Sequence, residues 1–228
     1  MSETDEALRS AINNNQAWCL FVAERHDIAS TQDNGYWQAQ SDMPTFFPNL
    51  VTLTQGTDVD NILPSQGNYF VKDSFSELDL TGKDFISLFD ATWYACRHHP
   101  INLPDANTCL IQQANDSEAL KEWETLWRGE ETFKPIYPAT FIDHKQVAFW
   151  TAQQDKKIAG VTSFFDGQSL GIYNLWGDTD LQAALLAHLQ TLQPDVAIVG
   201  YGDNDELAHL IPLGFSPLGA LKVWGRFE

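Results

Sequence analysis

Residues 96–99 read Cys-Arg-His-His, a thiol and two imidazoles close together, and these are groups that bind zinc. A closed zinc site needs four convergent ligands, yet Pro100 interrupts the segment and Cys109 is the one nearby partner in sequence. No metal is expected. Cys19 lies in Trp-Cys-Leu-Phe-Val, the setting of an inert buried thiol rather than an activated nucleophile. Three cysteines, an odd number without metal-type spacing, fit reduced thiols in the cytoplasm. The eight tryptophans read as packing residues, with an aromatic cage for a methylated or quaternary amine as the alternative. The chain has no Gly-x-Ser-x-Gly elbow, Walker loop or dinucleotide fingerprint.

The acidic groups say more. Thirteen Lys and Arg face thirty-one Asp and Glu, a formal charge of −18 that repels phosphate backbones and anionic membrane surfaces. Neither nucleic acid nor membrane is expected as a partner; the oligomeric state is not legible. The charge serves solubility or, in the second reading, a site tuned to amine-bearing substrates. The start, MSETDEALRS, is the opposite of a signal peptide, and no apolar run approaches a membrane span, so a cytoplasmic location is expected.

Elements able to hold a site are clearest in the second half. Asn115-Asp116-Ser117-Glu118 caps a helix carrying Leu120, Trp123 and Trp127, which Gly129 ends. Strands follow at Val147–Thr151, Ile158–Phe165 and Leu170–Trp176, with a polar turn at Gln154-Asp155-Lys156-Lys157. Thr179 with Gln182 reads as a capping box for the next helix, which precedes a strand at Val196–Tyr201. Asp203 with Glu206 opens a short helix, Pro212 and Gly214 end it, and Phe215–Phe227 is the last strand.

That order, with Leu213-Gly214-Phe215 between the last helix and strand, resembles the GNAT superfamily of acyl-CoA N-acyltransferases over roughly residues 108–228. The resemblance implies an α/β fold with a mixed, mainly antiparallel sheet flanked by helices. It also implies transfer of an acyl group from acetyl-CoA or another acyl-CoA to a small amine. The family's pyrophosphate loop falls on NLWGDTDLQAALL, where Gly177 remains but Asp180 and Gln182 stand in the place of two glycines. Asp178 and Asp180 suit a helix N-terminus and oppose a pyrophosphate. The resemblance gives Leu175, Trp176, Gly177, Thr179 and Asn204 cofactor contacts. The family's general-acid Tyr falls on Leu210, which leaves Tyr201 and His209 as catalytic candidates beside Tyr173 and Asp203 as polar cleft groups. A catalytically silent GNAT-fold binding or regulatory module is the alternative.

A second pattern concerns the whole chain. Leu53, Gly56, Asp58, Asp60 and Leu63 match Leu175, Gly177, Asp178, Asp180 and Leu185 in order. Ser74 with Glu77-Leu78 then matches Asp203 with Glu206-Leu207, and Phe85-x-x-Leu88 leading to Trp93 matches Phe215-x-x-Leu218 leading to Trp224. A duplicated unit is implied, with coincidence among common α/β patterns as the alternative. Residues 1–100 are expected to be a reduced GNAT-like half packed on a fuller half, residues 101–228. The first half then holds a short helix from Thr4-Asp5-Glu6 and strands at Trp18–Ala23, Tyr36–Ala39, Leu50–Thr54, Tyr69–Lys72 and Phe85–Ala95. Residues 97–115, with two prolines in RHHPINLPDAN, read as an exposed join.

Overall fold

The structure is a computed structural model that describes residues 2–33, 35–97, 101, 109–130 and 134–228. In chain order it runs α1 (Glu3–Arg25), β1 (Ser30–Gln32), β2 (Tyr36–Ala39), β3 (Leu50–Thr52), β4 (Tyr69–Asp73) and β5 (Ile86–Cys96). Then come β6 (Leu110–Gln113), α2 (Ser117–Arg128), β7 (Val147–Gln154), β8 (Lys157–Phe165) and β9 (Ser169–Gly177). The chain closes with α3 (Thr179–Leu192), β10 (Ala197–Gly202), α4 (Asn204–Leu210) and β11 (Ser216–Arg226).

The eleven strands among the described residues form one sheet in the order β1-β2-β3-β4-β11-β5-β10-β9-β8-β7-β6. Neighbours are antiparallel except at β3–β4 and β9–β10. The order reads nearly the same outward from the β11–β5 pair on either side, with β6 as the addition. The register repeats the symmetry. β5 and β11 pair about Ala91 and Leu221, and each carries one extra residue, Leu88 and Leu218, at equal distances from that centre. The two long strands are interchanged: β5 pairs with β10, and β11 pairs with β4.

Alternation along the strands sends successive side chains to opposite faces. On one face α1 and α2 share an aromatic core around Trp18, Trp123, Tyr137 and Phe149. On the other, α3 and α4 cover Leu170, Ile172, Leu185, Leu189, Leu210 and Phe215. Gly214 takes a left-handed φ of 106° at the end of the α4 region, which turns the chain so that Phe215 drops into that core.

Several local expectations are corrected. Trp18–Ala23 is not a strand, and the N-terminal helix is not short: Ser2 and Asp5 form a capping box and the helix continues to Arg25. A continuous apolar run has neither period, so its state is set by packing, here Trp18, Phe21 and Val22 against the aromatic core. Ser74 with Glu77 does not open a helix. Asp73 accepts from Phe75 N (3.3 Å) and Leu78 N (2.8 Å), Glu77 reaches Gly56 N (2.9 Å), and a 3-10 turn at Thr81–Lys83 is what precedes β5. The cap of α3 is Asp178 rather than Thr179. Within the expected join, Leu110–Gln113 pairs with β7 as an edge strand, while 98–100 and 102–108 lie outside the described residues.

Candidate functional site: the cleft between β9 and β10

β9 and β10 are paired through Ser169–Gly171 and Ala197–Val199, and then part. The cause is a bulge. Against β8, Tyr173 faces Thr162 and Trp176 faces Gly160, so Asn174 and Leu175 together oppose one residue. Asn174 takes the left-handed conformation, φ 51°, which Asn tolerates better than most residues. Its amide donates to Tyr137 Oη (2.6 Å) and Thr162 Oγ1 (3.2 Å), fixing the bulge from both sides.

The wedge holds a cavity of about 250 Å³, lined among others by Tyr94, Ile172, Leu175, Asp203 and Glu206. A larger cavity of about 580 Å³ lies beside it, with walls that include Phe46, Phe70, Lys72, Trp127 and Phe227. Phe89, Asn174 and Tyr201 border both. Glu206 comes from α4, with its carboxyl lying over Gly202, where a Cβ would meet Cδ at 2.5 Å. Tyr94 Oη donates to Glu206 Oε1 at 2.7 Å. Burial pushes the Glu206 carboxyl up to about 7, and the Asp203 charge adds to it. Burial first, then the Glu206 charge, pushes the Tyr94 hydroxyl far up. A carboxyl titrating near neutrality can accept a proton at physiological pH.

The residues singled out in sequence divide. Tyr201, Leu175, Tyr173 and Asp203 line the smaller cavity together. Trp176 turns away to lie over Gly160 and against Trp123, with ring centroids 6.1 Å apart. Gly177 has φ 91°, and a Cβ there would sit 2.2 Å from Ile158 O, so strand packing alone demands glycine. Thr179, Asn204 and His209 are exposed and line neither cavity; on α4 it is Glu206, not His209, that is turned inward. Leu210 is buried in the α3–α4 core.

At the start of α3, Asp178 accepts from Asp180 N (3.1 Å) and Leu181 N (3.3 Å), the amides that would meet a phosphate. Lys157, the first residue of β8, lies 3.0 Å from Asp178 and 3.5 Å from Asp180 and holds the Asp178 carboxyl below its usual range. The acidic turn of the first half is arranged similarly, with Asp58 accepting from Asp60 N and Lys83 paired with Asp60. The residues at the α3 terminus do not fit a coenzyme A pyrophosphate.

Three cleft groups escaped sequence reasoning. Glu206 was visible as a capping residue alone. Tyr94 lies in the other half, 112 positions away. Lys72 left one trace, a charge at the end of the apolar run Tyr69–Lys72. As for the other chemistry weighed, Cys19 and Cys96 are buried, and the Cys19 thiol is pushed up to about 11 by burial. Among the described residues no group of three or more His, Cys, Asp or Glu is placed to hold a metal, and no helix is long and apolar enough to cross a membrane.

No protein-family model matches the chain, and no curated protein matches it in sequence. Solved structures do match. A functionally unknown conserved protein from Staphylococcus epidermidis aligns with TM-score 0.62 and 10% identity over 88% of this chain and 94% of that one. A GCN5-related N-acetyltransferase from Kribbella flavida gives 0.58 and 10% over 91% and 95%. A tandem GNAT protein from the clavulanic acid biosynthesis pathway gives 0.51 and 12% over 91% and 86%. Together with the order of elements and the splayed, bulged strand pair, these matches make the fold GNAT-like.

Proposed function

We propose that the protein is a cytoplasmic N-acyltransferase of the GNAT type, which moves an acyl group from an acyl-CoA to a small amine in the β9–β10 cleft. The observation that carries this reading is Glu206, a half-buried carboxyl in the wall of that cleft, hydrogen-bonded to Tyr94 and pushed up to about 7 by its surroundings. An amine must lose its ammonium proton before its nitrogen can act as a nucleophile, and Glu206 is the group able to take it. Tyr94 holds the carboxyl in one orientation through its hydrogen bond. Beyond Gly171 the β10-facing edge of β9 has no strand partner, which suits its backbone groups to orienting a carbonyl. Ile172, Leu175 and Phe89 supply apolar walls that exclude water. With the α3 terminus filled by Asp178, the grip on an acyl-CoA is confined to the cleft, and weak affinity follows. The same reading takes residues 1–100 and 101–228 as copies of one unit, for which the palindromic strand order is the support.

Acetyl-CoA with a panel of primary amines, followed by thiol release, tests the reading. Turnover should rise with pH through about 7. Glu206→Gln should lower kcat by about a hundredfold or more, the usual weight of a general base. A second reading, a silent GNAT-fold binding or regulatory module, is favoured by the occupied amides at the α3 terminus. It predicts neither turnover nor acetyl-CoA binding by the wild type.

A further inference from the structure

Lys72 lies on β4 and is 3% exposed. A buried ammonium is costly unless an opposite charge or enough acceptors surround it. Its neighbours are Asn15 Oδ1, which accepts at 3.0 Å, and the face of the Tyr201 ring, 3.9 Å from Nζ. Among the described residues no carboxylate lies within ion-pair distance of it. Lys83, Lys157, Lys222, Arg97 and Arg128 pair with acids, and the buried Arg226 donates to the carbonyls of Gly67 and Pro64, whereas Lys72 is buried with one amide oxygen and a ring face. An ammonium has three donors, and one strong acceptor plus a ring face leaves part of that capacity unused.

Lys72 and Tyr201, the ring beneath its ammonium, both line the 580 Å³ cavity, a volume typical of small-molecule sites. Phe46, Phe70, Leu88, Phe89, Trp127 and Phe227 supply apolar walls. Phe46 and Phe227 are 66% and 59% exposed at those walls, apolar surface that an occupant would cover. Asn49, Asn68 and Asn174 add polar groups, and Asp42, the acidic residue of the lining, is exposed.

We propose that this cavity binds an aromatic monocarboxylate, its carboxylate paired with Lys72 and its ring among Phe46, Phe70, Phe89 and Trp127. The apolar walls select the body of the ligand, and the buried cation selects the head, since a charged pair away from water is far stronger than one at the surface. An ammonium head on the same body would be repelled. The inference concerns binding, and it stands or falls separately from acyl transfer.

Calorimetric titration with naphthalene-2-carboxylate, 2-naphthalenemethanol and 2-naphthylmethylammonium tests it without any acyl donor. The carboxylate should bind about tenfold or more tighter than the alcohol, as expected for one charge-assisted pair, and the ammonium weakest. Lys72→Met should bring the carboxylate down to the level of the alcohol and leave the alcohol unchanged. Equal binding of the three heads, tightest binding of the ammonium, no binding of the carboxylate to the wild type, or a carboxylate affinity untouched by Lys72→Met would each overturn the proposal. The wild-type series decides the matter even if the variant does not fold. Loss of acyl transfer with intact carboxylate binding would count against the enzymatic reading alone.

Discussion

Glu206 ties the chemistry of the cleft to the stability of the fold. Its carboxyl has an ordinary value of 4.5 and stands at about 7 in the folded chain, so the folded state holds the proton more tightly than the unfolded one. The sign follows. The protein is most favoured, as far as this group is concerned, below about 4.5, and stability is lost as pH rises toward about 7. Glu206→Gln removes the penalty, so the variant should melt higher than wild type at pH 8 and close to it at pH 4.5. Thermal denaturation across that range checks this, and parallel curves for the two proteins would place the carboxyl in water. Asp178 and Asp180 allow a second residue-scale prediction. Replacing both by Asn keeps much of the helix cap, because Asn caps about as well as Asp. It removes two carboxylates from the place where the GNAT resemblance puts a pyrophosphate, and leaves Lys157 without its acids. Acetyl-CoA should bind the double variant roughly tenfold tighter at low salt, and less so at high salt, where screening shortens the reach of charge. Titration at two salt concentrations measures both. A wild type that binds tightly and a variant that does not would show that placing the phosphates at this turn is wrong.

At the scale of elements, two contacts carry much of the geometry. Phe215 follows the left-handed Gly214 and is buried between α4 and the sheet, with its ring edge-on to Tyr94 at 5.5 Å. Phe215→Ala should cost about 3–5 kcal/mol, the usual range for truncating a buried Phe, and urea unfolding reads it directly. An unchanged midpoint would put the ring outside the core. The end of β9 gives a sharper comparison. Gly167 and Gly177 both have positive φ, 98° and 91°, but a Cβ at Gly167 would meet nothing within 4 Å whereas one at Gly177 would meet Ile158 O at 2.2 Å. Gly167→Ala should therefore cost about 1 kcal/mol for the backbone conformation alone. Gly177→Ala should cost clearly more and loosen the β8–β9 edge, which amide exchange at Ala159 and Gly160 would report.

At the scale of the whole molecule, the described strands share one sheet because β5 lies between β11 and β10, and β11 between β4 and β5. Residues 101–228 on their own would lack β5, leaving β10 and β11 without the strand that lies between them and exposing Ile198, Tyr201 and Leu221. Such bare edges and faces favour aggregation. Expressed alone, that segment should be insoluble or unfolded, and co-expression with residues 1–100 should restore a soluble complex. A monomeric, cooperatively folding fragment of residues 101–228 would show that the interchange is dispensable.

What the chain reveals locally, it reveals well. Asp116 and Gly129 bracket α2, Asp203 and Gly214 bracket the α4 region, and apolar alternation marks β7 to β11, because capping and alternation depend on near neighbours in sequence. The formal charge of −18 was likewise fixed by composition. The apolar run Trp18–Ala23 had no period to read, and only the sheet beneath it made it helix. The cleft depended on distance in another sense. Asn174 opens it through a bulge that shows only in strand register, and its polar groups meet as pairs far apart in sequence, Glu206 with Tyr94 and Tyr201 with Lys72. A side chain's acidity is set by how much water its neighbours displace and what charge they bring, so Glu206 was an ordinary helix cap in sequence and became a carboxyl titrating near neutrality only when β5 closed over it.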